Sequence, residues 1–185
     1  MAGPDLSWRV GTDAEAVHAL LRASDEHHAA LYGLPVPNRR PERTRQLVQT
    51  GAVQVLQDGT EIVAMFTLTE GPPYDQELSV FPSARQPLYL QRLAVQPRSL
   101  ASVPLLGIRC LRRAVQVARS RRADVLRAEA NPDLTAQADL LATFGFAQCG
   151  PVQSANGLRR VYLQKVLAAQ SGTATVAHSS PAPSP

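Results

Sequence analysis

Lysine is almost missing from this sequence. Of its 19 basic residues only Lys165 is a lysine, and the others are arginines. Cysteine is scarce as well. Cys110 and Cys149 cannot build a disulfide framework, nor can they alone complete a four-ligand zinc site. A reduced, cytoplasmic protein without a metal is therefore expected. Aromatic residues make up 5% of the chain and the formal net charge is +4. Binding to single-stranded nucleic acid draws on stacked aromatics and a strong basic excess, so a nucleic-acid partner is not expected from composition. No apolar run reaches the roughly 18 residues of a membrane-spanning helix. The first residues, MAGPDLSWRV, show no basic stretch followed by an apolar one, so no secretory signal is read there.

What is present suits one ordinary domain. The 185 residues are 44% hydrophobic, enough to bury a core and to exclude disorder of the whole chain. The stretch 168–185 differs from the rest. It carries no Asp, Glu, Lys or Arg, and three prolines fall in its last five residues. It reads as a disordered tail behind a folded domain over 4–167.

Apolar spacing sets out the elements. Leu6, Trp8 and Val10 alternate as a strand. Thr12 or Asp13 can cap a helix whose apolar positions are Val17, Leu20, Leu21 and Leu31, ending at Gly33, Pro35 and Pro37. A weaker helix is read over 42–49. Asp58-Gly59 is a tight-turn dipeptide between strands at 53–55 and 62–68. Residues 70–87 form a proline-rich loop. A strand over 88–95 and a loop over 96–102 precede a helix with a predicted buried stripe of Leu105, Ile108, Leu111, Val115 and Ala118. A strand over 125–130, a helix over 134–143 and strands over 146–150 and 160–166 complete the chain. An early hairpin followed by alternating strands and helices implies a mixed α/β (α+β) sheet with crossover connections and helices on both faces.

At Tyr89–Pro97 the run YLQRLAVQP resembles the fourth strand of the GNAT acyltransferase superfamily, which commonly ends in Leu-x-Val-x-Pro. The helix over 105–121, the strand closing on Ala130-Asn131-Pro132 and the Phe-Gly-Phe at 144–146 are similar to the family's next units and fall in its order. The resemblance implies a mostly antiparallel sheet of six to seven strands with a V-shaped split between strands four and five. It implies N-acyl transfer from a pantetheine thioester, acetyl-CoA or another acyl-CoA first, to an amine of a small molecule or peptide. An acyl carrier protein is the second donor, and the protein would be a monomer or homodimer. The donor would pair with backbone groups of Leu93, Ala94 and Val95 on the exposed strand edge, and Asn131 would hydrogen-bond the pantetheine.

Two family features are altered. Counted back from the helix end, the phosphate loop falls on Ser102–Gly107, where only Gly107 remains and Pro104 removes a donor. Counted forward from Val95, it keeps Arg98 and the small Ala101 and Ser102. Arg98, Ser102 and Gly107 are the donor-loop candidates. The position of the family's proton-donating tyrosine is Leu141, and the fourth-strand glutamate is absent beside Gln91 and Arg92. Tyr89, Glu129 and Tyr162 are the candidate catalytic groups. His27 or His28, from the cluster Asp25-Glu26-His27-His28, and Tyr74, Asp75 and Glu77 are candidates for the acceptor side. Seven arginines between Arg109 and Arg127 would flank the donor's phosphates or an acidic carrier. Two readings from other classes accompany this one: a non-catalytic acyl-CoA-binding or regulatory domain, and a nucleic-acid-binding protein using those arginines.

Overall fold

The computed structural model describes residues 5–72, 78–155 and 158–167. Tyr74, Asp75, Glu77 and the tail over 168–185 lie outside the described residues. One seven-stranded sheet organises the chain. Its strands are β1 (Leu6–Val10), β2 (Val53–Asp58), β3 (Glu61–Thr69), β4 (Pro87–Val95), β5 (Val125–Ala130), β6 (Ala147–Ala155) and β7 (Leu158–Val166). The spatial order is β1-β2-β3-β4-β5-β7-β6. Only β4 and β5 run parallel, because a helical crossover joins them, and every other pair is antiparallel.

Among the described residues four α-helices cover the sheet: α1 (Ala14–Tyr32), α2 (Pro41–Gln49), α3 (Leu106–Ser120) and α4 (Thr135–Thr143). Asp13 caps α1, its Oδ1 accepting the N–H groups of Glu15 and Ala16 at 3.0 Å each. Gly33 ends α1 at φ 64°, where a side chain would be strained. Pro41 opens α2, where a missing N–H costs nothing. Two cores result. Val17, Leu20 and Leu21 of α1 and Leu47 and Val48 of α2 pack on Val53, Val55, Met65 and Ala94. On the opposite face α3, with Leu141 and Phe146, packs on Phe66, Leu88, Leu90, Leu126 and Ala128.

The buried face of α3 differs from its predicted stripe. Leu106, Cys110, Leu111, Ala114, Val117 and Ala118 face the core, whereas Leu105 precedes the helix and is 63% exposed. Small side chains at 110, 114 and 118 let the helix axis approach the sheet, and those residues contribute little to an apolar stripe seen in sequence. The closing strands are longer than expected. A register shift between Cys149 and Gln153 accommodates Gly150 and Pro151, at the end of the expected strand, and lets β6 continue to Ala155.

Candidate functional site

The site begins with an irregularity in β4. Met65 pairs with Ala94 and Thr67 with Gln91, leaving Arg92 and Leu93 opposite the single residue Phe66. Arg92 sits at φ 54°, a left-handed conformation uncommon outside glycine. The extra residue bends β4. Its pairing with β5 accordingly ends at Leu90↔Ala128, after four residue pairs. From Gln91 onward β4 has no partner on that side among the described residues. This is the split between strands four and five, and it leaves the backbone edge of β4 at Leu93, Ala94 and Val95 unpaired toward β5.

A cavity of about 650 Å³ opens at the split. Leu90 to Leu93 of β4 form one wall, and Glu129, Ala130 and Asn131 form the other. Asp25 and His28 of α1, Arg39, Leu134 and Gln137 at α4, and Arg159 and Arg160 of β7 also line it. Asn131 shapes its own rim. Its Oδ1 accepts the Asp133 N–H at 2.9 Å, an Asx turn that leads into α4, while its Nδ2 has no acceptor among the described residues.

Titratable groups crowd this cavity. The Glu129 side chain is one-third exposed. Its carboxyl is raised above the ordinary value because burial disfavours the charge, against the opposing pull of Arg160. The two groups stand 3.6 Å apart. His28 is half-buried, and its pKa is lowered by burial and then by His27, so it is neutral at pH 7. Arg39 holds Asp25 with two bonds of 2.7 and 3.0 Å. Arg159 is paired with Asp133. Arg92 is lowered to about 10 by burial, with Arg39 and Arg43 adding like-charge repulsion.

The three candidate catalytic groups lie on one face of the sheet, with Glu129 paired directly to Tyr162, but they differ in their access to the cavity. Glu129 lines the cavity, but Tyr89 and Tyr162 do not, each being at most 2% exposed on the same face of the sheet. Tyr89 Oη accepts from Arg127 Nη1 at 3.1 Å, and the Tyr162 ring lies 5.5 Å from that of Phe81. Leu93 and Asn131 line the cavity, whereas Ala94 is buried against α1 and α2. Arg98 is turned to Glu61, with a 2.9 Å bond from Nε, and Ser102 Oγ donates to the Ser99 carbonyl at 3.3 Å. Gly107 lies in the first turn of α3, where a Cβ would meet Leu140 Cδ2 at 2.9 Å. Its missing side chain therefore serves the contact between α3 and α4. Val103 is buried, Leu105 takes φ 61°, and Arg109 Nε donates to the Pro104 carbonyl at 3.2 Å. The loop is thus built around apolar anchors rather than glycines.

Arg127 does not belong with the surface arginines of α3. It is 6% exposed beneath β5, on the face opposite α3, and donates to Gln164, Tyr89 and the Pro82 carbonyl while lying 4.5 Å over the Phe81 ring. The paired strand partners Tyr89↔Arg127 and Arg127↔Gln164 account for this cluster. Among the described residues no three His, Cys, Asp or Glu side chains are grouped as metal ligands, and no helix is long and apolar enough to cross a membrane. Burial pushes the Cys110 thiol up to about 12, so it carries no nucleophilic thiolate at neutral pH.

Arg92 and Arg39 were not readable as site residues, and Asp25 stood out only as a member of the cluster Asp25-Glu26-His27-His28. The one signal was the polar pair Gln91-Arg92 inside an otherwise apolar strand, and it could equally mark an edge.

No protein-family model matches the sequence, and no curated protein matches it. Solved structures do resemble the fold. A GNAT-family acetyltransferase from Streptococcus agalactiae aligns with a TM-score of 0.67 at 13% identity, covering 90% of this chain and 98% of that one. The protein yncA from Salmonella typhimurium, solved with its cofactor acetyl-CoA, aligns at 0.61 and 16% identity over 90% and 96%. FeeM, an N-acyl amino acid synthase from uncultured soil microbes, aligns at 0.64 and 14% identity over 89% and 91%.

Proposed function

From a chain that has the GNAT fold, we propose an acyltransferase that moves an acyl group from a pantetheine thioester to an amine. The observation that carries this reading is the cavity opened where the β4 bulge parts β4 from β5. The unpaired β4 edge can take an amide-rich arm as it would take a strand. In one ternary complex the amine nitrogen attacks the thioester carbonyl carbon. The C–N bond forms as the carbonyl π electrons move to oxygen, where β4 N–H groups can stabilise the charge. Collapse of that intermediate breaks the C–S bond and expels the thiolate. Glu129 is the base that takes the proton from nitrogen, because a raised carboxyl pKa lies closer to neutral pH. Leu141 is buried in the α3-side core and offers no proton to the thiolate, which is a tolerable leaving group as it stands.

Coenzyme A is the first donor. A carrier-bound acyl group is the second, favoured by Pro104 and Leu105 in the phosphate loop and by Arg109, Arg112 and Arg113 on α3. The test measures amide formation by mass spectrometry with a panel of acyl-CoAs, acyl carrier thioesters and amines. Amide formed from coenzyme A thioesters supports the first donor, and amide formed only from carrier thioesters supports the second. No amide from any combination overturns the acyltransferase reading.

A further inference from the structure

The cavity holds cations that the protein itself leaves unanswered. Arg39 spends its fork on Asp25 and Arg159 is bonded to Asp133, so both are neutralised. Arg92 is not. Its guanidinium is partly buried, and Nη1 donates to Thr44 Oγ1 at 3.0 Å, an oxygen that also meets His18 Nδ1 at 3.1 Å. Among the described residues no carboxylate lies within ion-pair distance of Arg92. Asp25 attracts it from further away, but both Asp25 oxygens are bonded to Arg39. It lies at the seam of the main cavity and a second one of about 420 Å³, which is lined by Arg39, Arg40, Arg43 and a single acid, Glu42. Arg160 is also short of partners. Its Nε is buried without an acceptor, and its contact with Glu129 is a long 3.6 Å.

Holding a cation in such a place is costly. Desolvated charge without a counter-charge destabilises a fold, and neighbouring like charges add to the cost. Arg92 additionally occupies a left-handed backbone position at the β4 bulge. Strained, under-paired groups of this kind gather where a ligand completes them.

We propose that the acceptor is an amine that also carries an oxyanion, a carboxylate or a phosphate, and that Arg92, with Arg160, binds that group. The inference rests on the acyltransferase reading above and names its acceptor class. A guanidinium fork matches the two oxygens of either anion. The two ends of such a substrate suit the two walls of the cavity. Its oxyanion neutralises Arg92 on β4, and its amine lies toward Glu129 on β5. A purely cationic amine would leave Arg92 unanswered.

The test compares matched ligands by titration calorimetry on the full chain. The standard amino acids are set against their decarboxylated amines, and phosphoethanolamine against ethanolamine. Wild type is compared with Arg92→Gly, Arg92→Lys and Arg160→Gln. Glycine suits the left-handed position, so Arg92→Gly removes the cation without adding backbone strain. Thermal melts establish that each variant folds, and Arg160→Gln carries the comparison should Arg92→Gly not fold. The anionic member of at least one pair should bind about tenfold more tightly or better, and Arg92→Gly should abolish that preference. Preference within the amino-acid pairs identifies a carboxylate, and preference within the phosphoethanolamine pair a phosphate. Equal binding within every pair, no binding by any anionic amine, or a preference untouched in both Arg92→Gly and Arg160→Gln overturns the proposal. Arginine-dependent binding without amide formation overturns the acyltransferase reading and leaves the anion site standing. Amide formed equally well from both members of each pair does the reverse.

Discussion

At the scale of one residue, the proposed base Glu129 gives the most direct test. Burial raises its carboxyl pKa and Arg160 pulls it back, so its charge changes at a pH above its ordinary value. A base works only when deprotonated. Activity should therefore rise with pH through the Glu129 pKa, and an acid limb should appear in kcat/KM. Glu129→Gln should remove that limb and lower kcat by a factor on the order of 10²–10⁴. The acceptor's own ammonium group titrates at higher pH and should be unaffected by the substitution, which separates the two limbs. Arg160→Gln should move the Glu129 limb to higher pH, since the charge that stabilises its carboxylate is gone. A pH–rate profile of each variant measures all of this. An unchanged acid limb in Glu129→Gln would remove Glu129 from the role of base.

At the scale of elements, the junction of β4 and β5 depends on a few short contacts. Asp124 accepts the N–H groups of Arg85 and Gln86 at 2.6 and 3.0 Å, and so ties the start of β4 to the start of β5. Desolvation works to raise its pKa, but those bonds prevail and the net shift is downward. The bonds therefore stabilise the fold at any pH above the ordinary Asp value and fade as pH falls through the lowered one. Asp124→Ala should cost about 1 kcal/mol near neutral pH, the figure for charge-assisted bonds in an exposed setting. The difference from wild type in a chemical melt should shrink in acid, and a gap that stays constant with pH would refute this account.

Two glycines give a sharper contrast at the same scale. Gly150 takes φ 72°, and an added Cβ would run into Val80 Cγ2. Gly150→Ala combines left-handed strain with overpacking and should cost about 2 kcal/mol or more. Gly107→Ala meets only the movable end of Leu140, and it gains helix propensity of roughly 1 kcal/mol. Its net effect should stay within about 1 kcal/mol, the strain of overpacking offsetting the propensity. Urea melts of the two variants distinguish these outcomes.

Much of this level was legible in the sequence, because alternation, helical spacing and Asp58-Gly59 are local signals. The α3 stripe was displaced because cysteine and alanine bury as readily as leucine when a helix must lie close to a sheet. The end of β6 was misplaced because Gly150-Pro151 can mark either a stop or a bulge, and pairing with β7 decides which. The site was less legible. Glu129 and Asn131 follow from strand ends, but the role of Arg92 depends on a bulge set by its pairing with β3, and nothing in YLQRLAV specifies that pairing.

For the whole molecule, the parallel pair is the weak seam. Strands β1 to β4 with α1 and α2 meet β5 to β7 across four residue pairs and the crossover helix α3. The basic excess is distributed on both sides of that seam. Arg127 is an internal strut, Arg121 and Arg122 lie beyond the C-terminal end of α3, and Arg92 and Arg160 both line the cavity. A ligand in the cleft touches both halves and binds only the folded state, so it must stabilise the whole. At a concentration about 100 times its Kd, an acyl-CoA should add about 2.7 kcal/mol. For a chain of this size that corresponds to a rise in Tm on the order of 5–10 °C. An acyl-CoA and an anionic amine together should raise it further than either alone, because both occupy one cavity that bridges the seam. Thermal melts with each ligand and with the pair make the measurement. A coenzyme A effect that vanishes in moderate salt would place the donor on the arginines of α3 rather than in the cleft, since screened surface pairs weaken with ionic strength while contacts inside the cleft persist.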